Sequence, residues 1–239
     1  MACRRGLWAP CCRMMKLFPA SVEAWVFDLD NTLYPATCRL FQQVDRRIGE
    51  YIASRLGMTP QDARALQKHY FRTYGTTLRG LMDEHGVEPQ GFLDFVHEID
   101  VGVVPPDPQL GALLDAAPGR KLVYTNGSAK HAANVLRRLG IADRFSGVFD
   151  IVDAQYTPKP DPRPYAAMAA RFSVDPARAC MVEDIARNLK PAKQMGMATV
   201  WVRSDSDFAR PTVEDLTAVD HVADGLNEWL ADALAGRID

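Results

Sequence analysis

Four short polar clusters, far apart in the chain, carry the side chains best suited to chemistry: Asp28-Leu29-Asp30, Thr125-Asn126-Gly127-Ser128, Lys159 and Glu183-Asp184. Asp28 and Asp30 are two apart, so in extended chain both carboxylates project to one side. Carboxylates held that close raise one another's pKa unless a cation intervenes, which suits either an acid/base pair or a divalent-metal site. The spacing alone is a weak signal. Its position singles it out, immediately after the apolar run Val22–Phe27 and before Asn31-Thr32, which can hydrogen-bond a tight turn. Thr125-Asn126-Gly127-Ser128 offers a hydroxyl, an amide and, at a helix start, unpaired N–H groups able to hold an anion. The same residues also make an ordinary cap and turn. Lys159 sits in Thr157-Pro158-Lys159-Pro160, an amine on a stiffened backbone, and by itself equally a plain surface lysine. Asn188 lies four residues beyond Asp184, on the same helix face if a helix starts there. Hard oxygen donors of this kind favour Mg²⁺, which takes one or two carboxylates plus waters and phosphate oxygens. An acidic helix N-terminus is the bland alternative.

The elements around these clusters explain how they can meet. Apolar runs alternate with helical periodicity: strands over 22–27, 121–124, 147–152, 179–182 and 198–202, and helices over about 129–139, 164–172, 185–195 and 225–235. Such alternation predicts a Rossmann-like α/β fold, a parallel sheet with helices on both faces. Ligands then bind beyond the carboxyl ends of the strands, where the order reverses. All four clusters sit at or just after those ends, so they are expected to converge on one rim. Between about Leu40 and Glu98 the pattern is helical throughout, with Leu40, Phe41, Val44, Ile48 and Ile52 on one face and Thr59-Pro60 opening a second helix. The expected organisation is an α/β core from 21–35 and 105–239, with a helical insert over 36–104 after the first strand.

Composition narrows the classes further. The 239 residues carry 28 Lys+Arg against 30 Asp+Glu, a formal charge of -2, which gives no field for gripping a nucleic acid polymer or an anionic membrane. Hydrophobic residues at 47% exclude a disordered chain. No run approaches the roughly 18 apolar residues of a spanning helix. Five cysteines, an odd number in no metal-ligand or disulfide spacing, point to a reducing compartment and hence the cytoplasm. Residues 1–20 are expected to be a disordered extension. Arg13 and Lys16 break the apolar run a signal peptide needs, and Met14 or Met15 would serve as an alternative start.

Taken in order, Asp-x-Asp-Asn-Thr-Leu-Tyr, Thr-Asn-Gly, Lys-Pro and Glu-Asp resemble the motifs of the haloacid dehalogenase superfamily from Val22 to the end of the chain. That resemblance implies a Mg²⁺-dependent phosphomonoester hydrolase working through an aspartyl phosphate. Asp28 would be the nucleophile, and Asp30 the general acid for the leaving alcohol and then the base for water. Thr125, Asn126 and Lys159 would bind the phosphoryl group. Asp28, Asp184 and the Asp30 carbonyl would hold Mg²⁺, with Glu183 and Asn188 supporting. The second aspartate argues against dehalogenation, in which no alkoxide needs a proton.

The helical insert resembles the smaller cap type of that superfamily. Tyr70–Leu81 and Glu183–Leu189 are similar to its pyrimidine 5′-nucleotidase branch, which implies nucleoside 5′-monophosphates such as UMP or CMP. Tyr74 and Arg79 would then stack on or hydrogen-bond base or ribose, while Tyr70 and Phe71 belong to the cap interior. Where many members carry a second acid, this chain has Asn188. A sugar-phosphate phosphatase or phosphomutase on the same fold is the rival enzyme. A phospho-accepting receiver, whose acidic pair comes first and lysine last, is the non-enzyme rival. The expected partner is a small phosphorylated metabolite, and the oligomeric state is open.

Overall fold

The apolar tetrapeptide Ala24–Phe27 forms β1, a central strand of a six-stranded parallel sheet in the computed structural model, which describes residues 21–204 and 210–238. β2 (Arg120–Tyr124) and β3 (Gly147–Phe149) lie on one side of it, and β4 (Ala179–Glu183), β5 (Ala198–Val202) and β6 (His221–Ala223) on the other. The order β3-β2-β1-β4-β5-β6 reverses direction at β1, which pairs with β2 and β4 at once. Phe27 stands opposite both Val123 and Val182, so the carboxyl ends of these three strands are in register. The α/β reading of the sequence is the observed architecture. Residues 1–20, expected to be a disordered extension, lie outside the described residues.

Both faces of the sheet are covered, and so the inner strands read as unbroken apolar runs. The alternation of β1 divides its residues between two cores. Trp25 and Phe27 pack with Val123, Leu136 and Trp229 on one face, and Ala24 and Val26 with Leu122, Met168, Met181 and Leu189 on the other.

Between β1 and β2 the chain forms α1 (Leu40–Leu56), α2 (Pro60–Tyr74), α3 (Thr77–His85) and α4 (Pro89–Val96), then α5 (Pro108–Ala116) against the sheet. Local chemistry sets these boundaries. Thr59 caps α2 by accepting the Asp62 N–H, with Pro60 at the first helical position, and Glu88 caps α4 by accepting from Gln90 and Gly91. Gly57 ends α1 in the left-handed region at φ +65°. Val44, Ile52, Tyr70, Leu81, Phe92 and Val96 give these helices an apolar core of their own. The remaining helices are α6 (Ala129–Leu139), α7 (Pro162–Arg171), α8 (Leu189–Met195), α9 (Val213–Leu216) and α10 (Leu226–Leu234).

Two boundaries differ from the sequence reading by three residues or more. The strand expected to reach Val152 stops at Phe149, because Asp150 turns the chain: its Oδ1 accepts from Val152 and Asp153, and its Oδ2 from Ala129. The helix expected from Ile185 begins at Leu189, after a 3₁₀ turn over Ala186–Asn188. That turn holds Asn188 inward, 3% exposed.

Candidate active site

The turn after β1 sets the first half of the site. Leu33 N–H bonds Leu29 O at 3.1 Å, and Asn31 takes φ +60°, a left-handed conformation that asparagine tolerates better than most residues. The chain thereby folds back over the carboxyl end of the strand. Asp28, one residue beyond β1, is tied to the neighbouring strand by its N–H to Val182 O at 2.9 Å.

Asp28, Thr125, Lys159 and Asp184, all buried, line one cavity with Asp30, Asn126, Glu183 and Asn188. Lys159 Nζ donates to Asp28 Oδ1 at 2.6 Å, to Glu183 Oε2 at 2.6 Å and to the Tyr124 carbonyl at 3.0 Å. Its loop is fixed from the β2 side, where Asn126 Oδ1 accepts the Lys159 backbone N–H at 2.9 Å. Asp28 Oδ2 accepts from the Thr32 hydroxyl at 3.2 Å. Thr125 Oγ1 accepts from Gly127 N–H at 2.9 Å, which leaves its own hydroxyl proton to donate. Glu183 Oε1 accepts from Ile185 N–H, so both oxygens of that carboxylate are engaged.

Electrostatics single out this cluster. Asp28, Glu183 and Asp184 each place a carboxylate oxygen within 4.8 Å of the others, against the one ammonium of Lys159. Burial first, and then the charge of Glu183, push the Asp28 carboxyl up to about 7, with Lys159 offsetting only part of the rise. Burial, then the charges of Glu183 and Asp28, raise Asp184 well above the usual range. Burial opposes the Lys159 ammonium, but Asp28 and Glu183 outweigh it and hold the proton on. An excess of buried oxygen anions is the environment a hard divalent cation relieves. Asn188 Oδ1, buried without a partner on the same cavity, adds another hard donor. The residues present fit Mg²⁺.

Asp30 is treated differently from Asp28. Its Oδ1 accepts from the Tyr34 hydroxyl at 2.6 Å and pairs with His131 Nε2 at 2.8 Å. Burial alone would raise its carboxyl, but the charge and hydrogen bond of His131, with the Tyr34 bond, outweigh that and hold it low. His97, just past α4, stacks on His131 at 4.5 Å between ring centroids and lies 3.0 Å from Ser128 Oγ through Nδ1. Sequence reasoning missed His131 and His97 and gave Tyr34 no role. Tyr34 and His131 carried a signal, one closing the first motif and the other three residues beyond the Ser128 cap. His97 carried none.

Tyr74 and Arg79 are not brought to this cavity. Tyr74 OH donates to Glu84, Arg79 Nε pairs with Asp83 at 2.8 Å, and both line a separate depression with Arg72, Pro158 and Arg163. Tyr70 is interior, its hydroxyl 2.8 Å from His85 Nε2. Phe71, expected in the interior with it, instead lies on the cavity wall with Arg187 4.6 Å over its ring.

A parallel sheet that gathers a buried aspartate, an acidic pair and a lysine at its switch point has the build of an α/β enzyme centred on a strand-end carboxylate. Residues 22–196 match the family model described as haloacid dehalogenase-like hydrolase, and the chain belongs to that family. Phosphate metabolism protein 8 of Saccharomyces cerevisiae is 26% identical over 196 residues, 74% of this chain but only 60% of the yeast protein's length. A phosphoglycolate phosphatase of Neisseria gonorrhoeae is 28% identical over 221 residues, covering 87% of this chain and 91% of its own. Among solved structures, a HAD phosphatase from Thermococcus onnurineus superposes with a TM-score of 0.60 at 22% identity, covering 91% of this chain and all of its own.

Proposed function

We propose that the protein is a Mg²⁺-dependent phosphomonoesterase that works through a phosphoryl group carried on Asp28. The observation that carries this reading is the Asp28–Lys159–Glu183 cluster, in which a carboxylate at a strand end shares a buried ammonium with a second acid. Asp28, Asp184 and the main-chain carbonyl of Asp30 would hold the metal. When bound, Mg²⁺ supplies the positive charge that lets an anionic nucleophile approach an anionic ester.

An Asp28 carboxylate oxygen forms the new bond to phosphorus as the bond from phosphorus to the alcohol oxygen breaks. Asp30 gives its proton to the departing alkoxide. Asp30 then takes a proton from water, whose oxygen attacks phosphorus, and the bond to Asp28 breaks to return its carboxylate with free phosphate. His131 and Tyr34 hold Asp30 ionised at rest, which suits the base half of the cycle. The negative charge of an entering ester favours its neutral form, which suits the acid half. Thr125 and Lys159 bind the phosphoryl oxygens, Asn126 keeps the Lys159 loop in place, and Glu183 aims the ammonium.

In this reading the helical segment 36–104 is a cap that closes over the core formed by 21–35 and 105–239. Nucleoside 5′-monophosphates remain the finer substrate reading, supported by the similarity of Tyr70–Leu81 and Glu183–Leu189 to the pyrimidine 5′-nucleotidase branch. A cytoplasmic setting is supported by the odd cysteine count and the buried free thiol of Cys180. Among the described residues no helix is long and apolar enough to cross a membrane.

The test is phosphate release from a panel holding UMP, CMP, AMP and sugar phosphates, with and without chelator. Release that stops with chelator and in Asp28→Asn is the expected result, with UMP or CMP ahead of AMP. Release that survives both treatments contradicts the mechanism. Sugar phosphates ahead of nucleotides would leave the phosphatase standing and remove the nucleotidase.

A further inference from the structure

We infer, resting on the phosphatase reading above, that the alcohol released from the ester bears no second anionic group and packs an apolar face against the helical segment. The cavity is lined from two sources. Core residues supply most of its charged groups, whereas the helical segment adds Phe41, Val44 and Ile48 of α1, Phe71 of α2, Leu78 of α3 and Val96 of α4 beside a few polar side chains. Its volume is about 140 Å³, so a leaving group inside it touches that wall.

The charges on the wall decide the substrate class. Among the described residues lining the cavity, Lys159 is the one Lys or Arg, and Asp28, Glu183 and the Tyr124 carbonyl hold it at the end where the phosphoryl group binds. Apart from His97, the one acidic or basic side chain that the helical segment adds is an acid, Asp45. Arg64 and Lys68 reach Asp45 at 3.2 Å each, but neither lines the cavity. His97 is no substitute cation, since burial and His131 push its imidazole down to about 3. A carboxylate or second phosphate held inside the cavity would therefore lose its water and gain no cationic partner from the lining. A neutral hydroxyl or N–H fares better. Gln67, pinned through its amide nitrogen to Asp45 O at 3.0 Å and Oδ1 at 2.7 Å, leaves its buried Oε1 without a partner on this cavity.

This sets the chain apart from relatives named for phosphoglycolate, whose leaving group carries a carboxylate. The experiment compares kcat/KM of the Mg²⁺-supplied protein for phosphoglycolate with that for ethyl phosphate and hydroxyethyl phosphate, esters of the same length without the charge. The neutral esters are expected to lead by about a hundredfold or more, the scale of leaving a buried charge unpaired. Ile48→Arg, which puts a cation on the wall from a half-buried position, is expected to narrow that ratio by raising turnover of phosphoglycolate. A wild-type preference for phosphoglycolate, or a folded Ile48→Arg whose ratio does not move, overturns the inference and leaves the phosphatase standing. If no ester at all releases phosphate, the phosphatase reading falls, and the inference with it.

Discussion

Lys159 Nζ lies 2.6 Å from Asp28 Oδ1, a contact between residues 131 positions apart. It joins the end of β1 to the loop leaving β3, and the ammonium is 1% exposed while it also holds Glu183. Removing it leaves Asp28, Glu183 and Asp184 buried together with no counter-charge. Lys159→Ala is expected to destabilise the metal-free protein by about 3–5 kcal/mol, read from denaturant unfolding, and to abolish turnover. Lys159→Arg is not expected to restore activity, because a planar guanidinium cannot replace a point charge bonded in three directions.

Asp30 depends on its partners for its ionisation. His131 and Tyr34 hold its carboxyl low against burial, so taking one hydrogen bond away lets it rise. Asp30 must carry a proton in the step that frees the alcohol, so Tyr34→Phe is expected to move the basic limb of the kcat/KM profile to higher pH, and to lower kcat about tenfold. A merely structural tyrosine would leave that limb where it was.

Metal and proton compete for Asp28. Its carboxyl stands at about 7 in the folded protein against an ordinary 3.8, so between those values the folded state holds a proton the unfolded chain has lost. The resulting stability is complete below about pH 4 and is lost as pH rises through about 7. Mg²⁺ binds the deprotonated form. The rise in Tm on adding Mg²⁺ is therefore expected to grow from pH 5 to pH 8, measured by thermal unfolding at matched ionic strength. A rise that shrinks over that range contradicts the assignment.

Glycine is required where the helical segment closes on itself. A Cβ at Gly80 would stand 2.4 Å from the Tyr70 ring, which is 6% exposed and has nowhere to retreat. Gly80→Ala is expected to cost about 1–3 kcal/mol in unfolding free energy, the range for overpacking a filled core.

What could be read from the sequence was whatever depends on local order. The strand ends at Asp28, Thr125 and Glu183 were visible because each apolar run stops abruptly in polar residues, and a parallel sheet brings such ends to one rim. Thr59-Pro60 announced a helix start that the structure has. The edge strand His221–Ala223 escaped because three residues give no periodicity to detect. His97 escaped for a different reason. Its place on His131 is a contact between the helical segment and α6, across 34 residues, and neither stretch alone calls for a histidine. Tyr74 and Arg79 looked suited to a ligand by residue type, but in the structure Arg79 pairs with Asp83 one helical turn on, and Tyr74 at the end of α2 reaches Glu84 of α3.

The most direct test of the account is to mix the protein with a phosphomonoester and Mg²⁺, quench in acid within one turnover, and map the modified peptide by mass spectrometry. The predicted result is one added phosphoryl group on Asp28, absent from Asp28→Asn and discharged as phosphate on longer incubation. Turnover without any phosphoryl group on Asp28, or with the group on another residue, would contradict it.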